Sequence, residues 1–197
     1  LVFVSILSVI IRGRLGYVFF YNFDYYAENL NKVLYIWEGG MSFHGALIGV
    51  YVGLIFLSIK NKIKFFKLSD FLVPFIPIGL FLGRTGNFIN SELYGSPTNS
   101  NWGVIFPKID NIPRHPSQIY EAFLEGIVLF FIMNLIIIKK NYKTGTCSSM
   151  FLILYGIFRI ISEFFRAPDP QIGYLFNSIS MGTMLSFFMI LAGLIFF

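Results

Sequence analysis

Residues 127–133 read Ile127-Val128-Leu129-Phe130-Phe131-Ile132-Met133, an unbroken apolar run. A strand of a membrane barrel alternates lipid-facing and lumen-facing residues, and this run does not alternate, so it is helical. It lies within the apolar stretch 117–138, close to the ~20 residues a helix needs to cross a bilayer. Working outward, five more stretches of similar length appear at 1–21, 43–59, 71–90, 149–165 and 175–197. The pattern predicts an all-α, polytopic transmembrane helical bundle, with six spans in a single domain over 1–197. Composition points the same way. Of 197 residues, 56% are hydrophobic and 13% charged, against roughly 25% charged in a soluble domain. The 25 Phe, 11 Tyr and 2 Trp suit lipid-facing and interfacial positions.

The lysines set the topology. Lys60, Lys62, Lys64 and Lys67 lie between the second and third stretches, and Lys139, Lys140 and Lys143 between the fourth and fifth. Neither cluster contains an acidic residue, so both loops read as cytoplasmic by the positive-inside rule. Loops 22–42, 91–116 and 166–174 then fall on the outer face, and 91–116 is a small loop region within the domain. This distribution turns the +5 net charge into a topology signal and excludes nucleic acid as a partner. The first stretch begins at Leu1 with no methionine, basic n-region or small-residue cleavage site, so it reads as a span rather than a leader. The chain is expected to be N-terminally truncated. One cysteine excludes a disulfide framework, and two separated histidines make no metal site. There is no G-x-S-x-G elbow and no H-E-x-x-H helix.

Charges inside a span cost several kcal/mol, about 2.5–3.5 on insertion scales, so each needs a partner or a task. Arg84 and Asn87, His44, Glu121 and Glu125, and Arg159 and Glu163 all fall in the outer halves of their helices. A cavity opening toward the outer leaflet or the outer aqueous face follows. Arg84, Asn87 and Asn90 recur every third residue and share one helix face, with Gly83 and Gly86 allowing close backbone approach. Packing with Arg84 snorkelling outward is one reading of that face. Tyr155, Arg159 and Glu163 are spaced by four; an ion pair locking the bundle is one account of them. The other account joins the two sets: arginines on separate helices can clamp a phosphate through bidentate hydrogen bonds. His44 is either a satisfied hydrogen-bonding residue or, with its near-neutral titration, a general base. Cys147 lies near the lysine face, away from these groups, and reads as incidental.

Four blocks carry a resemblance: Gly39-Gly40-Met41-Ser42-Phe43-His44-Gly45; Gly83-Arg84-Thr85-Gly86-Asn87-Phe88-Ile89-Asn90-Ser91-Glu92-Leu93-Tyr94-Gly95; Arg114-His115-Pro116-Ser117-Gln118-Ile119-Tyr120-Glu121; and Arg159-Ile160-Ile161-Ser162-Glu163-Phe164-Phe165-Arg166. Together, in this order, they resemble bacterial prolipoprotein diacylglyceryl transferase. The resemblance implies transfer of the diacylglyceryl group of phosphatidylglycerol to the lipobox cysteine thiol in a prolipoprotein signal peptide. It implies a thioether product, released glycerol phosphate, and a multi-pass place in the bacterial inner membrane with the site toward the outer leaflet. It implies His44, Arg84 and Arg159 as catalytic residues. Arg84, Asn87, Asn90, Glu92, Gly95, Tyr155 and Glu163 would bind the lipid, with Tyr155 and Glu163 positioning Arg159. No metal or organic cofactor is implied, because the donor is already an activated phosphodiester. The family has seven spans and places part of its site in a helix before the equivalent of Leu1. It also has His-Gly-Gly where this chain has His44-Gly45-Ala46. A transporter for an anionic solute and a lipid-binding scaffold are the rivals from other classes. No second copy of the Gly83–Asn90 pattern supports an inverted repeat, and a scaffold has no use for His44.

Overall fold

The computed structural model describes residues 2–38, 42–138, 142–167, 174–175 and 179–197, without the side chains of 2–5, 20–21, 43–44, 46–47 and 174–175. Gly39, Gly40 and Met41 and the His44 side chain therefore lie outside the described residues, as do Lys139 and Lys140. The described chain is mostly helical: α1 (Val2–Tyr21), α2 (Phe43–Asn61), α3 (Phe65–Asn90), α4 (Ser117–Ile138), α5 (Thr146–Glu163) and α6 (Met181–Phe196). Among them, α3, α4 and α5 are long and apolar enough to cross a membrane, and Ile48–Asn61 and α6 are shorter apolar helices. This is the fold of a polytopic membrane protein. The chain divides into two compact units, residues 1–68 and 69–197.

In the first unit α1 packs along α2. Ser42 caps α2 by accepting a hydrogen bond from the Gly45 amide at 3.2 Å, which satisfies one of the orphan donors of the first turn. Arg14 is buried, and its guanidinium donates to the carbonyls of Val33 (2.9 Å) and Lys32 (2.6 Å) while lying over the Tyr26 ring. A charged group thus becomes the tie for the segment that follows α1, which explains its tolerance inside an apolar helix.

The second unit holds the apolar core, made by Val73, Leu129, Met133, Cys147 and Phe151 toward the lysine-bearing ends of α3, α4 and α5. Cys147 is fully buried there. Helix α3 starts six residues before the expected boundary at 71, so Lys67 is helical rather than in a loop. The pattern is broken at Val73-Pro74-Phe75, where the missing proline N–H tightens the helix into a 3-10 turn before it resumes at Ile76. Asp70, on the early part of α3, accepts from the backbone amides of Gly145 (2.6 Å) and Ser148 (2.8 Å) and from the Ser148 hydroxyl (2.8 Å). It is the N-terminal cap of α5, supplied from 75 residues away.

The opposite ends of the same helices are laced by backbone. The Gly95 amide donates to His115 O (3.1 Å), Ser96 N to Phe165 O (2.9 Å), His115 N to Ser96 O (3.0 Å) and Ala167 N to Tyr94 O (3.2 Å). The segments leaving α3, entering α4 and leaving α5 are therefore stitched into one mesh. Within loop 91–116, β1 (Val104–Ile105) pairs antiparallel with β2 (Pro113–Arg114). Residues 175–180, expected to begin the last helix, instead include the pair β3 (Tyr174–Leu175) and β4 (Ile179–Ser180). Ser180 then caps α6 through the Thr183 amide at 3.1 Å.

Candidate active site

Immediately below the mesh, α3, α4 and α5 each turn charged side chains toward a common point. Helix α4 is unusual here. After one ordinary turn, Ala122–Val128 is wound as a π-helix, a form that concentrates at functional sites. Its wider turn brings Glu121 and Glu125, four apart, onto nearly one face. Both side chains are fully buried.

Glu121 is the hub. Its Oε2 lies 2.7 Å from Arg84 Nε, and its Oε1 accepts a hydrogen bond from Arg159 Nη1 at 2.6 Å. Two guanidiniums from two helices thus grip the two oxygens of one carboxylate. Arg159 also meets Glu163 Oε2 at 2.8 Å through Nη2, and Arg166 Nη1 stands 3.7 Å from Glu121. Glu125 is 3.7 Å from both Arg84 and Arg159, and neither of its oxygens accepts a hydrogen bond among the described residues. The arginines are held at the spacing of a planar oxyanion, the geometry in which guanidinium recognises carboxylate and phosphate alike. Arg84 keeps about one-sixth of its side chain exposed (16%) while Glu121 has none, so the cluster is open from the Arg84 side.

Positioning comes from close packing. A Cβ on Gly126 would sit 2.7 Å from Phe81 Cβ and 3.0 Å from Phe81 Cα. The α4 backbone therefore presses directly on α3 one turn from Arg84. The sequence pattern suggests this role for Gly83 and Gly86, but a Cβ added at either would meet nothing within 4 Å beyond its own helix among the described residues. The close approach belongs to the partner helix, whose Gly126 lies in no motif of the sequence.

The structure brings together Arg84, Arg159 and Glu163. Tyr155 lies one turn before Arg159 and stacks on Phe151. Asn87 is partly buried at the end of α3, and Asn90 and Glu92 are exposed. The Glu92 carbonyl accepts from Gln118 at 2.7 Å, fixing the α3 exit to the α4 entrance. Gly95 is buried in the mesh, where a Cβ would collide with the His115 and Phe165 carbonyl oxygens. His44 belongs to the first unit. Glu121 and Glu125 are site residues that the motif reading passed over. Their signal was available: two acids one helical turn apart inside an apolar span demand cationic partners.

Beside the cluster, on the outer flank of α4, Trp102, His115, Ile119, Tyr120, Phe123, Leu124 and Phe165 line an apolar cleft of about 530 Å³. Trp102 Nε1 donates to the Tyr120 hydroxyl at 2.9 Å, and the His115 and Tyr120 rings pack edge-on against Phe165. In the loop above, Arg114 bridges Asp110 at 2.5 Å and lies over the Tyr94 ring. That guanidinium holds the Asp110 carboxyl below the usual carboxylate range.

The family model for prolipoprotein diacylglyceryl transferase matches residues 1–197. The chain belongs to the prolipoprotein diacylglyceryl transferase family. Relatives named phosphatidylglycerol–prolipoprotein diacylglyceryl transferase agree with it along nearly its whole length. The protein from Buchnera aphidicola subsp. Acyrthosiphon pisum (strain Tuc7) is 51% identical over 218 residues, covering 99% of this chain and 77% of the relative. That of Aeromonas salmonicida is 51% identical over 193 residues, 98% of this chain and 70% of the relative. That of Pasteurella multocida is 52% identical over 194 residues, 98% and 72%. Prolipoprotein diacylglyceryl transferases are enzymes, which sets aside the transporter and scaffold readings. The arginine cluster is then the natural candidate for the active site of a transferase.

Proposed function

We propose that this chain transfers the diacylglyceryl group of phosphatidylglycerol to the lipobox cysteine thiol of a prolipoprotein signal peptide, at the outer leaflet of the bacterial inner membrane. The observation that carries the reading is the pair Arg84 and Arg159 on the two oxygens of Glu121. Sulfur attacks the glycerol carbon, the carbon–oxygen bond to phosphate breaks, and a thioether and glycerol phosphate result. The phosphodiester enters with one negative charge and leaves as a monoester with a second developing. Fixed guanidiniums beside that oxygen stabilise the charge as it forms, without reorganising. Each charge-assisted hydrogen bond contributes about 1.5–3 kcal/mol.

Glu121 uses one N–H of each arginine and Glu163 a second of Arg159, so each five-donor fork still has donors for the phosphate. Glu163 keeps Arg159 pointed into the cluster, with Tyr155 beside it. Asn87, Asn90 and Glu92 border the Arg84 side, where the headgroup glycerol hydroxyls need partners, and Gly95 lets the mesh close over it. His44 takes the thiol proton, since a thiolate is the nucleophile and a near-neutral base generates it. The apolar cleft beside α4 suits the hydrophobic segment of the signal peptide. The reaction requires no metal or organic cofactor.

The experiment is a mass-spectrometric assay in membranes containing phosphatidylglycerol, with a lipobox peptide and its cysteine-to-serine version. A diacylglyceryl mass gain on the cysteine peptide alone, with glycerol phosphate released, is the expected result. No adduct from folded protein that binds the lipid would overturn the proposal.

A further inference from the structure

The charges around Glu121 balance as they stand. Among the described residues, Arg84, Arg159 and Arg166 face Glu121, Glu125 and Glu163, three against three. A phosphodiester entering this cluster brings one more negative charge into a site whose two central carboxylates have no exposure at all. An uncompensated buried charge costs far more than the transfer of a proton, so a group neutralises instead. The three carboxylates differ in how well their charge is held. Glu121 has guanidinium nitrogens at 2.7 and 2.6 Å, and Glu163 has one at 2.8 Å. Glu125 has no hydrogen bond to either oxygen, and its nearest cations are 3.7 Å away. The groups that face it are Arg84 from α3, Glu121 on its own helix, Tyr155 and Arg159 from α5, and Arg166 beyond α5. When a phosphate draws Arg84 and Arg159 toward itself, Glu125 loses the two cations nearest to it.

We infer that Glu125 takes up a proton from solvent when a phosphodiester headgroup binds between Arg84 and Arg159, so that the loaded site remains neutral. The inference rests on the function proposed above for the same arginines. No bond of the lipid is made or broken in the step: a proton leaves water, and a Glu125 oxygen receives it. The π-helical segment Ala122–Val128 carries this carboxylate, aimed into the cluster yet 3.7 Å from the nearest guanidinium nitrogens, beyond hydrogen-bond reach.

The test uses the full chain in phosphatidylcholine nanodiscs, titrated with short-chain phosphatidylglycerol and no thiol acceptor. Calorimetry in two buffers of different ionisation enthalpy counts the protons exchanged. The expected result is uptake approaching one proton per lipid bound, with affinity falling by up to about tenfold per pH unit as pH rises. Glu125→Gln, of the same shape, should bind with no uptake and with a flat pH dependence. Binding to the wild-type protein without proton uptake, or unchanged uptake in Glu125→Gln, overturns the inference. Should the variant fail to fold, infrared difference spectra of the wild type decide: a protonated-carboxyl band must appear on binding, and its absence is equally fatal. Thioether formation measured in parallel separates this step from the reading beneath it. Catalysis without uptake removes Glu125 alone, uptake without catalysis removes the transferase reading alone, and no lipid binding removes both.

Discussion

Replacing Gly126 by alanine should disable the site from outside it. The added Cβ would lie 2.7 Å from Phe81 Cβ, 3.0 Å from its Cα and 3.2 Å from its amide nitrogen. Non-bonded carbons rest at about 3.5–4.0 Å, so α3 and α4 must separate locally by roughly 1 Å. Two of the three crowded atoms are backbone, and no rotamer change relieves them. Arg84 follows Phe81 by three residues, on the same face of α3. Carried along, its Nε would move from 2.7 Å to beyond hydrogen-bond reach of Glu121. Overpacking of this kind costs about 1–3 kcal/mol of stability, and a misplacement near 1 Å costs on the order of 10²-fold in rate. The assay is thioether formation on a lipobox peptide in phosphatidylglycerol vesicles, with thermal unfolding in detergent alongside. Wild-type kcat together with an unchanged melting temperature would show that the α3–α4 contact does not position Arg84.

Arg84→Lys keeps the charge and loses the planar fork; turnover should drop about 10²-fold, as for loss of one oxyanion donor, and near-wild-type rates would dismiss the phosphate clamp. Asp70→Ala strands the Gly145 and Ser148 amides and should lower stability by about 1–3 kcal/mol, with kcat unchanged at a permissive temperature; an unaltered melting temperature would contradict the capping role. The Asp110–Arg114 pair sets a pH response in loop 91–116. Folding lowers the Asp110 carboxyl, chiefly through the Arg114 hydrogen bond. Its contribution is therefore complete above the ordinary aspartate range and disappears as pH falls through the lowered value. Amide protection in residues 104–114, taken relative to the intrinsic exchange rate at each pH, should fall only at acid pH, and a loss of protection at neutral to alkaline pH would have the wrong sign.

How much of this could be read from the chain varies by residue. The helices were legible because an apolar run without alternation has one reading in a bilayer, and the family was legible because four polar blocks recur in order. Arg84, Arg159 and Glu163 were legible as costly charges in spans. Their meeting point was not, because Glu121 belongs to a helix whose π winding has no sequence signature. Gly126 was missed for a related reason: close approach depends on which helix lies opposite, and Gly83 and Gly86 look equally suited on paper. The early start of α3 escaped because Lys64 and Lys67 read as part of a basic loop, while Asp70, the residue that fixes that end of the helix, finds its acceptor-hungry amides 75 residues later.

That span of 75 residues between Asp70 and Gly145 also has a meaning in time. Chains are made at about 5–20 residues per second, so the interval between the two lasts roughly 4–15 s. Through it, Asp70 waits without the amides it will cap; Arg84 waits as long for Arg159, and Glu121 and Glu125 about half as long. Until α5 is made, Arg84 and Glu121 have each other but lack the second guanidinium of the finished cluster. The finished protein is sealed at both ends by the same late helix, through Asp70 at one and Arg159 at the other.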